Sequence, residues 1–401
     1  MFLKTSKLKL YNKIMKKLIY LDYASTTPVD QQVLKEMKNF FTIKGIFGNP
    51  SSYLHLFGIN AKNTVENARI NISNIIGSKK EEIIFTSSAT ESINLAIKGI
   101  AFNYLNYKNK NIITSMMEHK AVLETCNFVK KLGIKIIYIK NSHIGKIDLN
   151  ILEKKITNET ILVSIMHINN EIGTINDINR IGCICKKKNT FFHVDATQSV
   201  GKYSFNLKNM NIDFLSFSAH KFYGPKGIGV LYIKNIKKKT NFLPLLHGGG
   251  QENGLRSGTL AVHQIVGIST ALKIANSIIK QEKKRISCLK KKLWDGIKNI
   301  PGIYLNGNFK YSSPYIINIG FKNIFNKILL SEMKNIAIST SSACNSNKYY
   351  LSYVLKSLGL NDKLIQSSIR ISFGKFTTEK EIDYTIKKLN FIIKKIKTKY
   401  L

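Results

Sequence analysis

The chain has very little arginine and few acidic residues. Of its 62 Lys and Arg residues only five are Arg, and 24 residues are Asp or Glu, so the formal net charge is +38. Such a charge is typical of proteins that bind nucleic acid or anionic membranes. Here the excess is almost all Lys and is spread along the chain with Ile and Asn. We therefore interpret it as a compositional bias, and nucleic-acid binding is not predicted as the main role.

Cysteine is also scarce. The five Cys residues are an odd number in a chain of 401 residues, none forms a CxxC pair, and no His/Cys cluster has zinc spacing. This pattern argues against a disulfide framework and predicts a reducing compartment, with the cytoplasm as the expected location. No apolar run approaches the roughly 18 residues of a membrane span, so no membrane partner is predicted.

The first 17 residues are predicted to be a leader without ordered structure. Residues 1–14 are basic and contain no acidic side chain, which would suit an organellar presequence, but they lack Arg and are few. An organellar matrix is therefore the less favoured location. Two domains are predicted after the leader, a large one over 18–265 and a smaller one over 266–401 that carries Cys344.

Short apolar runs alternate with helical patterns over the first part of the chain. Runs such as Ile161–Met166 and Phe191–Val194 are almost continuously apolar, which is typical of strands buried on both faces of a parallel sheet. From Val262 the pattern becomes strongly helical, and a second unit of strands and helices ends in the helix Glu379–Lys397. The predicted fold class is α/β, with an additional α+β unit.

Unusual polar side chains follow the ends of four predicted strands. In a parallel sheet, ligands collect outside the carboxyl ends of the strands. One such side chain is more simply explained by packing, but six on one edge predict a binding site. They are His119, Asn170, Asp195, Gln198, His220 and Lys221.

Lys221 follows the predicted strand Ile212–Phe217, in a turn closed by Gly224 and Gly227. A Lys among 62 basic residues is a weak signal by itself. Its position suits an amine that forms an imine with a cofactor whose phosphate lies on exposed backbone N–H groups. Nearby, Ser88–Glu91 matches a capping box and therefore predicts a helix N-terminus that can bind an anion.

The six strand-end residues together predict pyridoxal 5′-phosphate (PLP) as cofactor. Lys221 would form the imine, Asp195 would keep a pyridine nitrogen protonated, and His119 would lie on the ring. In the C-terminal part, Cys344 lies among Ser and Asn residues, where a thiol is expected to be exposed and reactive. Arg370, on a predicted strand, suits bidentate capture of a carboxylate. Arg256 and Thr259, in the glycine-rich stretch His247–Thr259, are candidates for binding a phosphate; the alternative is a long surface turn.

From about Leu18 to Lys397 the chain resembles the cysteine desulfurases of the NifS/IscS group. The similarity covers nearly the whole chain, and its motifs are jointly very specific. The matching stretches are Tyr20–Pro28, Phe47–Pro50, Ala89–Asn94, Glu118–Lys120, His167–Gly173, His193–Ser199, Ser216–Gly227, Arg256–Thr259 and Ser342–Cys344.

The resemblance implies a fold-type-I PLP-dependent transferase that forms a homodimer, with a large domain built on a mostly parallel seven-stranded sheet. It implies that Lys221 carries PLP, that His119 is an acid/base on the ring, and that Asp195 holds the ring nitrogen. Asn170 and Gln198 would contact the hydroxyl side of the ring. The implied phosphate-binding set is Ala89, Thr90, Ser218, Ala219, His220 and, from the partner subunit, Thr259.

The implied activity is conversion of L-cysteine to L-alanine, with the sulfur left as a persulfide on Cys344. Arg370, with Asn170, would bind the substrate carboxylate, and Cys344 would lie on a long flexible loop that carries sulfur to acceptors. The implied acceptors serve iron–sulfur cluster assembly and tRNA thiolation. No resident metal is expected, although Cys344 could transiently ligate a 2Fe-2S cluster shared with a scaffold protein. The alternatives are other fold-type-I PLP enzymes, namely a selenocysteine lyase or an aminotransferase.

Overall fold

The computed structural model describes residues 18–235, 242–340 and 351–400. The predicted leader and Cys344 lie outside the described residues. The chain divides into two compact units, a sheet unit of residues 26–170 and 174–281 and a C-terminal unit of residues 18–25, 171–173 and 282 onwards. The domain bounds at 18–265 and 266–401 stay a prediction. Of the described helices, none has the length and apolar character needed to cross a membrane.

The strands and helices of the described chain are numbered here in chain order. The strands are β1 (Ile19–Tyr20), β2 (Ile83–Thr86), β3 (Asn111–Ser115), β4 (Lys135–Ile139), β5 (Thr160–Ser164), β6 (Phe191–Asp195), β7 (Phe214–Ser218), β8 (Gly229–Ile233), β9 (Ile303–Leu305), β10 (Ile316–Phe321), β11 (Ile336–Ala337) and β12 (Ser368–Ser372). The helices are α1 (Gln31–Lys38), α2 (Leu56–Ile76), α3 (Ala89–Ala101), α4 (Lys120–Lys131), α5 (Leu149–Lys155), α6 (Ile178–Lys187), α7 (Val262–Ile297), α8 (Asn326–Glu332), α9 (Tyr353–Ser357), α10 (Asp362–Gln366) and α11 (Glu379–Tyr400).

The sheet unit is built on a seven-stranded sheet in the order β2-β8-β7-β6-β5-β3-β4. Only β8 runs against its neighbours, so the sheet is mostly parallel, and the predicted α/β fold class is confirmed. Successive residues such as Ile83 and Ile84, or Ile112 and Ile113, belong to two different apolar clusters. Because neighbouring strand residues point to opposite faces, both faces of the sheet are covered, which explains the continuous apolar runs.

The C-terminal unit contains the antiparallel sheet β12-β10-β9 and a parallel pair formed by β1 and β11. Ile19 lies opposite Ile336 in that pair, so the first described strand joins one from far along the chain. No local pattern in the sequence could predict this partner. The division between the two units falls within α7, between Gln281 and Glu282.

Lys290, on α7 in the C-terminal unit, is a buried cation. Its Nζ atom donates hydrogen bonds to Ser312 Oγ at 2.7 Å and to the Ser313 carbonyl at 2.9 Å. The same Nζ lies 4.9 Å from the centroid of the Phe309 ring. Burial lowers the pKa of Lys290 from 10.5 to about 7, because removal from water disfavours the ammonium. The folded protein therefore releases this proton at a much lower pH than the unfolded chain does.

Between about pH 7 and pH 10 the unfolded chain holds the Lys290 proton and the folded protein does not, so the free energy of unfolding is expected to rise with pH over this range. This stabilisation is fully present above about pH 10 and is lost as the pH falls to the folded pKa of about 7. A K290M variant should lack the rise, so the wild type should gain a few kcal/mol relative to the variant over that range, at about 1.4 kcal/mol per pKa unit. Urea unfolding of both proteins at several pH values measures this difference. A difference that does not change with pH would contradict the expectation.

Candidate active site

The carboxyl ends of β6 and β7 lie side by side in the sheet unit. Asp195, the last residue of β6, is opposite Ser216 in β7. The side chain of Asp195 is buried, and its Oδ1 accepts a hydrogen bond from Thr197 N at 2.9 Å. Strand β7 ends at Ser218 and continues into a single 3₁₀ turn that ends at Lys221. The two parallel strands thus deliver a buried carboxylate and an amine to one edge of the sheet.

His119 is the N-cap of α4, and its Nδ1 accepts a hydrogen bond from Ala121 N at 3.1 Å. An acceptor nitrogen carries no proton, so Nε2 is the ring nitrogen left for proton exchange. Burial lowers the pKa of His119; the Asp195 carboxylate opposes that shift, and the ammonium of Lys221 adds to it. The charges of Asp195 and Lys221 both act on this imidazole, so the structure brings together three of the six residues predicted from strand ends.

Two further buried groups near Asp195 were not predicted as site residues from the sequence. His193 is fully buried between Ser164 Oγ, 2.8 Å from Nδ1, and Ser216 Oγ, 2.9 Å from Nε2, and burial lowers its pKa to about 4. Burial raises the pKa of Glu118 well above its usual value, and Asp195 adds to this effect. Both residues therefore favour their neutral forms. Both residues lie in stretches that match the NifS/IscS group, Glu118–Lys120 and His193–Ser199, and that was the sequence signal that could have found them.

Asn170 and Gln198 lie on loops that follow β5 and β6. The neighbour of Asn170, Asn169, donates from Nδ2 to the Met117 carbonyl at 2.9 Å, which ties its loop to the one that precedes His119. Gln198 is buried, and its Oε1 accepts from Lys202 Nζ at 3.2 Å. Lys202 was also missed from the sequence, where only its spacing of four residues from Gln198 could have drawn notice.

The predicted N-cap of α3 is confirmed, since Ser88 Oγ accepts from Glu91 N at 3.2 Å. The reciprocal bond of a capping box is shifted by one residue, because Glu91 Oε2 accepts from Ser87 N at 2.6 Å rather than from Ser88 N. The backbone N–H groups of Ala89 and Thr90, in the first turn, have no acceptor within the helix. Such a terminus favours an anion such as a phosphate group.

The start of α3 packs closely against the end of β7 through β8. Thr86 and Ser218 both lie opposite Gly229, on either side of β8. A Cβ atom at Gly229 would come 2.5 Å from the carbonyl carbon of Ser88, so only glycine allows this approach. The helix terminus and Ser218 thus form one cradle, which continues into the turn that carries Lys221.

The turn before Lys221 is fixed from both sides. The His220 carbonyl accepts hydrogen bonds from Thr27 N at 2.9 Å and from Thr27 Oγ1 at 3.0 Å. His220 Nδ1 lies 3.1 Å from Thr26 Oγ1, and burial together with the charge of Lys221 lowers the pKa of His220 to about 4. Ala219, buried in the same turn, accepts from Gly224 N at 3.0 Å. An anion cradle, a buried carboxylate, an imidazole and an amine fit a cofactor with a phosphate, a ring nitrogen and a carbonyl.

Thr259 and Arg256 differ in their surroundings. Thr259 is exposed. Arg256 Nε donates to Glu91 Oε1 at 2.8 Å and its Nη2 to Glu91 Oε2 at 3.3 Å. A carboxylate of the chain itself therefore engages two of its three nitrogens, and phosphate binding by Arg256 stays a prediction.

Arg370 lies on β12 in the C-terminal unit and is buried. Its Nη2 donates to Asp22 Oδ1 and to Ser25 Oγ, both at 2.8 Å. Its backbone exchanges hydrogen bonds with Ser339, at 2.7 and 3.2 Å. Cys344 lies outside the described residues, so its predicted role as nucleophile and that of Arg370 as carboxylate ligand stay predictions.

Comparisons with known proteins give a consistent assignment. Residues 19–385 match the family model described as Aminotransferase class-V. The chain is 50% identical over 383 residues to cysteine desulfurase IscS of Buchnera aphidicola subsp. Schizaphis graminum, covering 96% of this chain and 94% of that protein. It is also 50% identical over 372 residues to cysteine desulfurase IscS of Escherichia coli O139:H28, covering 93% and 92%. A solved structure titled "NIFS-LIKE PROTEIN" has a TM-score of 0.87 and 40% identity, covering 94% of this chain and 99% of that one.

Proposed function

The chain belongs to the class-V aminotransferase family, in its group of IscS cysteine desulfurases, and on this basis we propose that it converts L-cysteine to L-alanine and leaves the sulfur as a persulfide on Cys344. Members of this group depend on PLP. One observation supports the proposal most strongly: Lys221 and Asp195 both act electrostatically on His119, at the sheet edge where β7 meets the cradle of α3.

The residues present fit PLP. Ala89, Thr90, Ser218 and His220 would hold its phosphate, with Ala219 in the same turn. Asp195 would hold the ring nitrogen, Asn170 and Gln198 the hydroxyl side, and Lys221 the carbonyl carbon. When bound, the group supplies an electron sink for bonds at the α-carbon of the substrate.

His119 is suited to moving a proton at this edge. Its Nδ1 accepts a hydrogen bond from Ala121 N, so the exchangeable proton is at Nε2. Burial lowers the pKa of the ring, so the neutral imidazole predominates near neutral pH, with its proton on Nε2 available for donation. The amine of Lys221, which would hold the cofactor, is a second group suited to proton transfer when it is free.

Cys344 and Arg370 supply the substrate-specific steps of the proposal. Arg370 binds the substrate carboxylate, with Asn170 as a second contact. The thiolate of Cys344 forms an S–S bond with the substrate sulfur while the C–S bond breaks; the electron pair stays on the carbon skeleton, which takes up a proton to become alanine. The backbone of Ser339 is hydrogen-bonded to that of Arg370, and Ser339 lies five residues before Cys344. Five residues of fully extended chain span at most about 18 Å, which is the upper limit for the distance from Ser339 to Cys344.

We also propose that two copies form the active enzyme. The surface around residues 41–59 exposes several large apolar side chains, including Leu54 at 85%, Ile43 at 75% and Leu56 at 73%. Exposed apolar side chains this close together are typical of a protein interface. In a dimer formed through this surface, Thr259 of each subunit would lie near the phosphate site of the other subunit. Analytical ultracentrifugation would show a dimer.

The cellular role follows from the group. The persulfide is proposed to supply iron–sulfur cluster assembly through a scaffold protein, and tRNA thiolation, in the cytoplasm. A transient 2Fe-2S cluster on Cys344 belongs to the same proposal.

The purified protein is expected to be yellow. Borohydride reduction should remove the visible band and add the mass of the reduced cofactor to the peptide that contains Lys221. L-Cysteine should yield alanine in the amount of sulfide released under reductant. A colourless protein that binds DNA or RNA with steep salt dependence would contradict the proposal. Alanine formation from selenocysteine only would favour a selenocysteine lyase, and amino transfer to a keto acid would favour an aminotransferase.

A further inference from the structure

The loop that carries Thr259, residues 247–259, is fixed to the sheet unit by a buried carboxylate. The side chain of Glu252 is 1% exposed. It accepts hydrogen bonds from Arg69 Nη2 at 2.6 Å, Arg69 Nη1 at 3.0 Å and Phe85 N at 2.7 Å. Arg69 also donates to the Ile83 carbonyl at 2.6 Å. This loop, called here the Thr259 loop, is therefore bonded to β2, the strand that leads into the anion cradle.

A second ion pair fixes the loop closer to Thr259. Arg256 is bonded through two nitrogens to Glu91, in the first turn of α3. Burial would raise the pKa of Glu91, but the hydrogen bonds from Arg256 and from Ser87 lower it. Glu91 is thus held as a carboxylate that serves both the helix cap and the loop.

The backbone between the two attachments is strained. Glu252 has φ of 53° and Asn253 has φ of 57°, in the left-handed region that L-residues rarely adopt. Such a conformation is unfavourable for a residue with a side chain and persists only where surrounding contacts enforce it. The two ion pairs provide those contacts. The loop is therefore held in one conformation, with Thr259 exposed three residues beyond Arg256.

We propose that Arg256 is a positioning residue that acts on the cofactor site of the other subunit. The inference rests on the proposed function, in which Thr259 reaches the partner's phosphate. Arg256 itself is bonded to the α3 helix of its own subunit, whose terminus holds that subunit's own phosphate. Arg256 thereby positions Thr259 of the same subunit, which contacts the phosphate bound by the partner subunit. Loss of Arg256 should weaken cofactor binding in the partner subunit and not in the subunit that carries the substitution.

Mixed dimers separate the two locations. Two chains with different affinity tags are coexpressed, and only one of them, the reporter chain, keeps Lys221; the other carries K221A. In the first dimer R256Q is on the K221A chain, and in the second it is on the reporter chain. Each dimer is transferred to cofactor-free buffer. At timed intervals borohydride fixes the remaining cofactor to Lys221, and the mass of the reporter chain gives the retained fraction.

Cofactor should leave the first dimer about tenfold faster than a dimer without R256Q, the size of effect expected when one hydrogen bond to a charged group is lost. The second dimer should match that reference. The matched control R180Q, at an exposed Arg on α6, should change neither rate. Faster loss only in the second dimer, equal loss in both, or no change in either would overturn the proposal. Should R256Q not fold, R256K provides the same comparison, since Lys lacks the two-pronged contact. A reference dimer with no borohydride-fixed cofactor would instead reject the proposed function.

Discussion

Replacing Lys221 by Ala is expected to abolish turnover of L-cysteine, by at least about a thousandfold, and to end covalent attachment of the cofactor. Lys221 is the amine on the turn between β7 and β8, and its charge acts on His119. Without it, the imine cannot form and a proton-transfer group is lost. Cofactor held only by the cradle of α3 should leave on dilution, so the yellow colour should fade on gel filtration.

Lys226 offers a matched control for this experiment. It lies five residues after Lys221, is exposed, and contributes charge to the same turn. K226A should keep the borohydride-sensitive band and the activity of the wild type. Covalent cofactor at full occupancy in K221A would show that another amine carries it, and the assignment of the site would then be wrong.

Replacing Cys344 by Ser is expected to give the second large effect, a loss of alanine and sulfide formation of about a thousandfold or more. A hydroxyl at neutral pH is not a nucleophile towards sulfur, whereas a thiolate is. The visible band should remain, because none of the residues proposed to hold the cofactor has changed. Mass spectrometry of the wild type after L-cysteine should add one sulfur to the Cys344 peptide.

Cys183 is the control for Cys344, since it is a free, exposed cysteine on α6. C183S should retain wild-type turnover and the persulfide on Cys344. Full alanine formation in C344S would rule out the persulfide mechanism and favour a lyase that releases the heteroatom directly. K221A and C344S thus separate cofactor chemistry from sulfur transfer, since only the first should affect the colour.

Much of the sheet unit was predictable because its signals are local. Strands such as β5 and β6 are short apolar runs, and the N-cap bond of α3 lies within four residues of sequence. The strand-end residues were predictable as a group because parallel strands place their carboxyl ends on one edge. His119, Asp195 and Lys221 meet this expectation in the structure.

Partners distant in sequence could not be predicted in this way. Arg69 and Glu252 are 183 positions apart, and Arg256 is 165 positions from Glu91. The charge of Arg256 suited a phosphate as well as a carboxylate, and only the fold shows that Glu91 is a partner. Similarly, β1 reads as an ordinary short strand, and nothing local indicates that β11 is its partner.

The sequence by itself determined which residues are candidates for the chemistry, including Lys221, because residue type and strand-end position are local properties. The tertiary structure decided how those residues are tuned and held. The neutral state favoured by His119, the raised pKa of Glu118 and the attachment of the Thr259 loop all depend on burial and on charges brought from other elements. Desolvation and Coulomb energies depend on distance in space, and only the folded chain sets that distance.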